Sequence, residues 1–255
     1  KKYVYRKIFE TADYNDGFMR VLTSTFTKLI EEYLVQVNFK TRPQTKKLFL
    51  LNELNLRKLE KEFKASMNDT RKLFATFPPN TMHYFFDKAM LEDNIYYFNS
   101  WSTGSAKRKK ELDENSLKTI IDNFTKFYLI ACITMYRKVL YVNNYRKIDI
   151  DLSFTEQILK VLEQFLDDFR DTPIISLYAN EVFLMTKGDR KYFKTLKNIF
   201  TNESHGLTYA DIYSLNNIMQ RYMTKQVLTG KHAFAREKFN FYALAVSRNN
   251  IRLPF

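Results

Sequence analysis

Apolar residues recur at intervals of three and four through almost the whole chain, the spacing of helices that each bury one face. The first long run predicts a helix from about Asp16 to Val37, capped by Asn15 or Asp16, with Phe18, Leu22, Phe26, Leu29, Tyr33 and Val37 as its packed stripe. A short helix over Val4 to Phe9 precedes it. After Pro43, a residue suited to a first turn, a second long helix is expected, with Phe49, Leu56, Leu59 and Phe63 inward and Lys46, Lys47, Arg57, Lys58, Lys61 and Lys64 on its other side. Asp69 to Thr76 reads as a short helix cut by Pro78-Pro79, after which Asn80 caps one that continues toward Asn99.

The stretch 100–114 interrupts the pattern. It holds Ser100, Ser102, Thr103, Gly104 and Ser105, then Lys107, Arg108, Lys109 and Lys110, the signature of an exposed, mobile loop. Helical spacing resumes from Asn115 to about Tyr145, with Leu117, Ile120, Phe124, Tyr128, Ala131, Met135 and Val142 on one face. Phe127, Ile130 and Ile133 broaden that face, so this helix is expected at the centre of the fold. Ser153 and Glu156 have capping-box spacing ahead of Phe154, Ile158, Val161, Leu162, Phe165 and Phe169. Further helices are predicted from Thr172-Pro173 to Lys187-Gly188, over Asp189 to Phe200, from Thr208 with Asp211 to near Gly230, and over Ala233 to Ser247.

With only 5 Gly and 5 Pro in 255 residues and no alternating apolar and polar runs, a sheet protein is excluded and the fold is all-α. Short connections imply antiparallel neighbours. No fixed sequence period is present, so the pattern alone leaves an irregular helical repeat and a large bundle both open.

The residues at the two ends carry a resemblance. Tyr3 to Glu10, Tyr14 to Asp16 and Leu22 to Leu34, then Tyr178 to Met185, Tyr192 to Leu196, Leu207 to Tyr213, Asn217 and Gly230 to Tyr242, resemble in order a group of long, uncharacterised bacterial helical proteins related to tetratricopeptide-repeat (TPR-like) solenoids. The resemblance implies an irregular α-solenoid of stacked antiparallel helix pairs, continuing past Phe255 into more regular repeats. It implies no reaction. The corresponding organisation is a helical segment over 1–99, a basic Ser-rich loop over 100–114, and a helical-repeat segment over 115–255 continuous with the first.

Composition adds direction to this architecture. Hydrophobic residues make up 45% of the chain, enough for a core, and Lys+Arg exceed Asp+Glu by 41 to 28, a formal +13. Such a charge favours an anionic partner, whether nucleic acid, acidic protein or anionic lipid, and an inert basic surface is the alternative. Cys132, the lone cysteine, lies in the apolar run Phe127 to Tyr136, which is half the length of a membrane span and reads as a buried core helix. A single cysteine rules out an intrachain disulfide and fits a reducing, cytoplasmic setting. The chain opens at Lys1 without Met and reads as a fragment.

Catalytic and metal chemistry find no pattern here. His83, His205 and His232 share no ligand pair, the glycines stand singly, and the adjacent carboxylates Asp167-Asp168 and Glu31-Glu32 point in different directions on a helix. No cofactor, metal or catalytic residue is expected. Two features are candidate contacts. Lys187, Arg190, Lys191, Lys194 and Lys197 recur at helical spacing as a basic face for an anionic partner, and Trp101 beside Lys107, Arg108, Lys109 and Lys110 offers an indole with neighbouring cations. Each has a plainer reading: a solvated helix surface, and a tryptophan folded back over a hydrophobic edge. The function expected is a non-enzymatic scaffold or adaptor that binds a protein or peptide, with a nucleic-acid-binding module as the alternative. Self-association through the C-terminal helix, around Phe239, Phe241 and Tyr242, is the further expectation.

Overall fold

A computed structural model describes residues 2–9, 13–77, 81–102, 114–143, 146, 150–202 and 207–247, and their regular structure is entirely helical. The helices are α1 (Lys2–Ile8), α2 (Asp16–Lys40), α3 (Pro43–Leu56), α4 (Glu60–Ala75), α5 (Met82–Ser102), α6 (Glu114–Asn143), α7 (Ser153–Gln164), α8 (Pro173–Lys187), α9 (Arg190–Asn202), α10 (Tyr209–Leu228) and α11 (Ala233–Ser247), with a 3-10 turn over Leu166–Phe169. The chain forms two compact units, Lys1–Phe74 and Ala75–Phe255, so it divides at the end of α4.

In the N-terminal unit, Asn15 caps α2 by accepting the Phe18 N–H at 3.0 Å. Tyr5 of α1 is buried in a ring cluster, with centroids 5.3 Å from Tyr14 and 6.3 Å from Phe18. Phe39 meets Phe49 at 5.7 Å where α2 gives way to α3. Between these two ends α2 is uncovered. None of its 25 residues is buried, which overturns the expected packed stripe of Phe18 to Val37. The physical reason is length, because α1 has only seven residues and its rings reach no further along α2 than Phe18.

A second correction concerns the helix expected to run from Pro43 past Phe63. It breaks after Leu56, where Lys58 takes a left-handed φ of 56°. The Leu59 N–H donates to the Leu54 carbonyl and the Lys58 N–H to the Asn55 carbonyl, both at 3.0 Å, closing a Schellman-type cap without glycine. An unbroken helix would hold Leu51 and Phe63 about 120° apart around its axis at 3.6 residues per turn. With the break, both are fully buried and α4 runs on through Asp69.

The C-terminal unit is built outward from α6 and α8. Helix α6 packs on α5, α7 and α8; α8 packs on α9 and α10; α10 packs on α9 and α11. Thr81 caps α5 through the Tyr84 N–H, and Asn80 lies outside the described residues. Pro173 opens α8 and Gly188, at φ 70°, closes it as a left-handed cap whose N–H reaches the Leu184 carbonyl. Thr208 and Asp211, expected to open a helix, do so as a reciprocal capping box. At α7 the expected box fails: the Ser153 N–H donates to Asp151, and Glu156 instead receives the Tyr136 hydroxyl at 3.2 Å.

The core joins Ile130 and Ile133 of α6 to Ile175 and Leu177 of α8, Phe193, Leu196 and Phe200 of α9, and Leu215 and Met219 of α10. Rings stack across it, Phe193 on Tyr222 at 4.9 Å and Phe200 against Phe241 at 4.6 Å. The packed line of α6 is Ile120, Asn123, Ile130, Ile133 and Tyr136, while Leu117, Phe124, Tyr128 and Met135 of the expected face are exposed. Cys132 is half-buried, beside that exposed line, and not enclosed in the core. Helix α7 is held mainly by α6 and buries only Leu159 and Leu162, which leaves Phe154, Val161 and Phe165 exposed.

Candidate functional site

The basic face expected on α8 and α9 exists as a set of exposed residues, but the fold divides it. Lys187 and Lys191 both turn to Glu163 of α7, the second at 3.5 Å. The Lys187 ammonium and the Tyr192 hydroxyl donate to Glu163 and hold its carboxyl below the usual glutamate range. Lys197 pairs with Glu237 of α11 at 2.6 Å, and the Arg190 guanidinium lies 5.2 Å from the Phe234 ring centre. Lys194 alone of the five has no such contact among the described residues. Lys191 thus ties α9 to α7, Lys197 and Arg190 tie it to α11, and Lys187 ties α8 to α7.

Trp101 does not sit in a loop. Helix α5 extends through Ser102, and the half-buried indole meets Phe98 edge-on at 5.2 Å, with its N–H enclosed and without an acceptor among the described residues. Folding back won because α5 continues long enough to place Trp101 one turn beyond buried Phe98. Lys107, Arg108, Lys109 and Lys110 lie outside the described residues. Of the C-terminal trio, Phe241 is buried against Phe200 and Phe239 is exposed, while the side chain of Tyr242 is outside the described set.

The sequence reading missed a buried polar cluster that joins α6, α8 and α10. Arg137 of α6 forms an ion pair with Glu181 of α8, donates to Ser214 of α10 at 2.8 Å, and lies 3.9 Å from the Tyr178 ring centre. Tyr178 donates to Asp211, and Tyr141 shares a hydrogen bond with Ser214 at 3.1 Å. Glu181 is wholly enclosed, and among the described residues neither of its oxygens receives a well-aligned hydrogen bond. Burial raises its carboxyl to about 8; the Arg137 charge pulls against this and nearby Asp211 adds to it. Burial and the hydrogen bond to Asp211 push the Tyr178 hydroxyl above the usual tyrosine range. One signal was legible: Asn180-Glu181 stands in the middle of a predominantly apolar helix.

Beside this cluster a cleft of about 430 Å³ opens between the end of α8 and α10. Leu184, Ile218 and Tyr222 form its apolar wall, Lys187, Arg221 and Lys225 supply cations, and no carboxylate lines it. Arg221 is also steered by the Tyr141 ring, 5.9 Å away. The last-turn carbonyls of α8 lack the intrahelical partners that interior carbonyls have, although Leu184 accepts from Gly188. The cleft thus offers positive charge, a few acceptors and an apolar wall together.

Among the described residues no cluster of three or more His, Cys, Asp or Glu is placed to hold a metal, and no helix is long and apolar enough to cross a membrane. Comparison with protein-family models, with curated proteins and with solved structures finds no match to this chain.

Proposed function

We propose that this protein is a non-enzymatic scaffold or adaptor whose C-terminal unit holds a protein or peptide partner, with the α8–α10 cleft as the docking point. The observation that carries the reading is the composition of that cleft, Arg221 and Lys225 with no lining carboxylate beside an apolar wall, Lys187 at its edge being paired to Glu163. An acidic, partly apolar peptide segment meets all three demands: its carboxylates face Arg221 and Lys225, its side chains cover Ile218 and Tyr222, and its N–H groups face the end of α8. The order of packing supports a TPR-like, irregular solenoid as the frame. Pairs α5–α6, α8–α9 and α10–α11 follow one another, with α6 against α8 and α8 against α10.

The nucleic-acid reading draws less support. A phosphate track needs cations free to replace condensed counterions, and Lys187, Lys191 and Lys197 are already paired to Glu163 and Glu237. A selection from a random displayed-peptide library against the whole chain tests the proposal. Enrichment of acidic sequences that is lost in Arg221→Glu/Lys225→Glu is the expected result. Enrichment indifferent to that double substitution, or tight salt-sensitive binding of a generic oligonucleotide in place of peptide, would overturn it.

A further inference from the structure

The exposed stripe of α2 has an internal symmetry that its composition does not reveal. Its positions are 18, 22, 26, 29, 33 and 37, so reversing the helix about a point between residues 27 and 28 maps Phe18 onto Val37, Leu22 onto Tyr33 and Phe26 onto Leu29. Val21 and Leu34, also exposed, exchange in the same way, whereas the exposed Ile30 and Val35 fall level with Thr25 and Arg20. A two-fold axis perpendicular to a helix pair performs this operation, and an isologous interface requires a surface that matches itself under it.

From this symmetry we infer that α2 is a self-association surface, on which a second copy of the chain docks its own α2 in antiparallel register. Size supports the same occupant. Phe18, Phe26, Leu29, Tyr33 and Val37 are 38% to 64% exposed, roughly 500 Å² per copy at about 200 Å² for a large side chain. Two copies closing on each other then bury about 1,000 Å², the size at which a specific interface begins. Charge placement agrees. In this register Glu31 and Glu32 fall level with Ser24 and Thr23 of the second copy, whereas a parallel in-register pair sets each acidic pair level with its like. Aromatic and aliphatic side chains alternate across the seam, Phe26 on Leu29 and Tyr33 on Leu22, so large meets smaller at each level.

Sedimentation velocity of the whole chain over a wide dilution series reads the association, and Leu29→Glu, at a residue next to the two-fold, is the decisive variant. A dimer whose dissociation constant rises about tenfold or more in Leu29→Glu is expected, with helix content by circular dichroism unchanged because the position is exposed. Orientation is read by cross-linking in a Cys132→Ser background. Positions 22 and 33 lie about 16 Å apart along one helix, beyond the reach of a disulfide. A mixture of Leu22→Cys and Tyr33→Cys chains should therefore join across the two variants, with neither joining to itself. A monomer at every concentration, a dimer insensitive to Leu29→Glu, or Leu22→Cys chains that join to themselves would each overturn the inference.

Discussion

Helices α2 and α8 are the two extremes of this molecule. Helix α8 has 15 residues and buries nine of them, including Asn180 and Glu181; α2 has 25 and buries none. Both carry strong apolar stripes, yet α8 is enclosed by α6, α9 and α10 while α2 is touched by α1 and α3 near its ends. The comparison teaches that periodic apolar spacing states what a helix is able to bury. Whether the same chain supplies the cover is a separate matter, decided by the lengths and positions of its neighbours.

The comparison breaks most visibly at Arg137. Arg137→Met leaves Glu181 enclosed without its cation, and breaking a buried pair in this way costs about 3–5 kcal/mol. Urea unfolding should show the larger loss at pH 8, where the orphaned carboxyl must keep its proton to stay enclosed while the unfolded chain releases it, and a smaller one near pH 5. An equal loss at both values would mean that the guanidinium matters for packing alone.

Next in size is the contrast between the two helices themselves. Leu177→Ala in α8 removes a fully buried side chain and should cost about 2–5 kcal/mol. Leu29→Ala in α2, measured on dilute protein, should stay within about 0.5 kcal/mol. Comparable losses at the two positions would abolish the distinction between a covered and an uncovered stripe.

Glu181 sharpens the picture through pH. Its folded carboxyl is raised to about 8 by burial, so between the ordinary glutamate value and about 8 the folded state binds more protons than the unfolded one. Stability contributed by this residue is present below that window and lost as pH rises through it. Glu181→Gln should flatten the decline, as followed by thermal melts across the window; an unchanged slope would place its origin elsewhere.

The smallest effect is a gain. Lys58 holds a left-handed φ of 56° at the α3–α4 turn, and Lys58→Gly should raise stability by about 1 kcal/mol by relieving Cβ crowding. A loss of stability would show that the lysine side chain matters more than the backbone strain.

Much of the helix order was legible because Pro173, Gly188 and the Thr208–Asp211 box are local signals that need no tertiary partner. The break at Lys58 was not, since nothing in its immediate sequence marks a left-handed residue and only the joint burial of Leu51 and Phe63 favours it. At the candidate sites the cations of α9 lie on its exposed side, but Lys191 and Lys197 find their acceptors Glu163 and Glu237 on α7 and α11, tens of residues away. Glu181 was visible as an anomaly within an apolar helix. Its partner Arg137 lies 44 positions earlier, a relation that helical spacing does not encode.

Hydrogen exchange measured at several protein concentrations tests the central contrast most directly. Amides of α8 should be strongly protected at every concentration, because their cover is internal to the chain. Amides of α2 should exchange fast in dilute solution and gain protection as concentration rises. Protection of α2 that matches α8 at the lowest concentration would contradict the account.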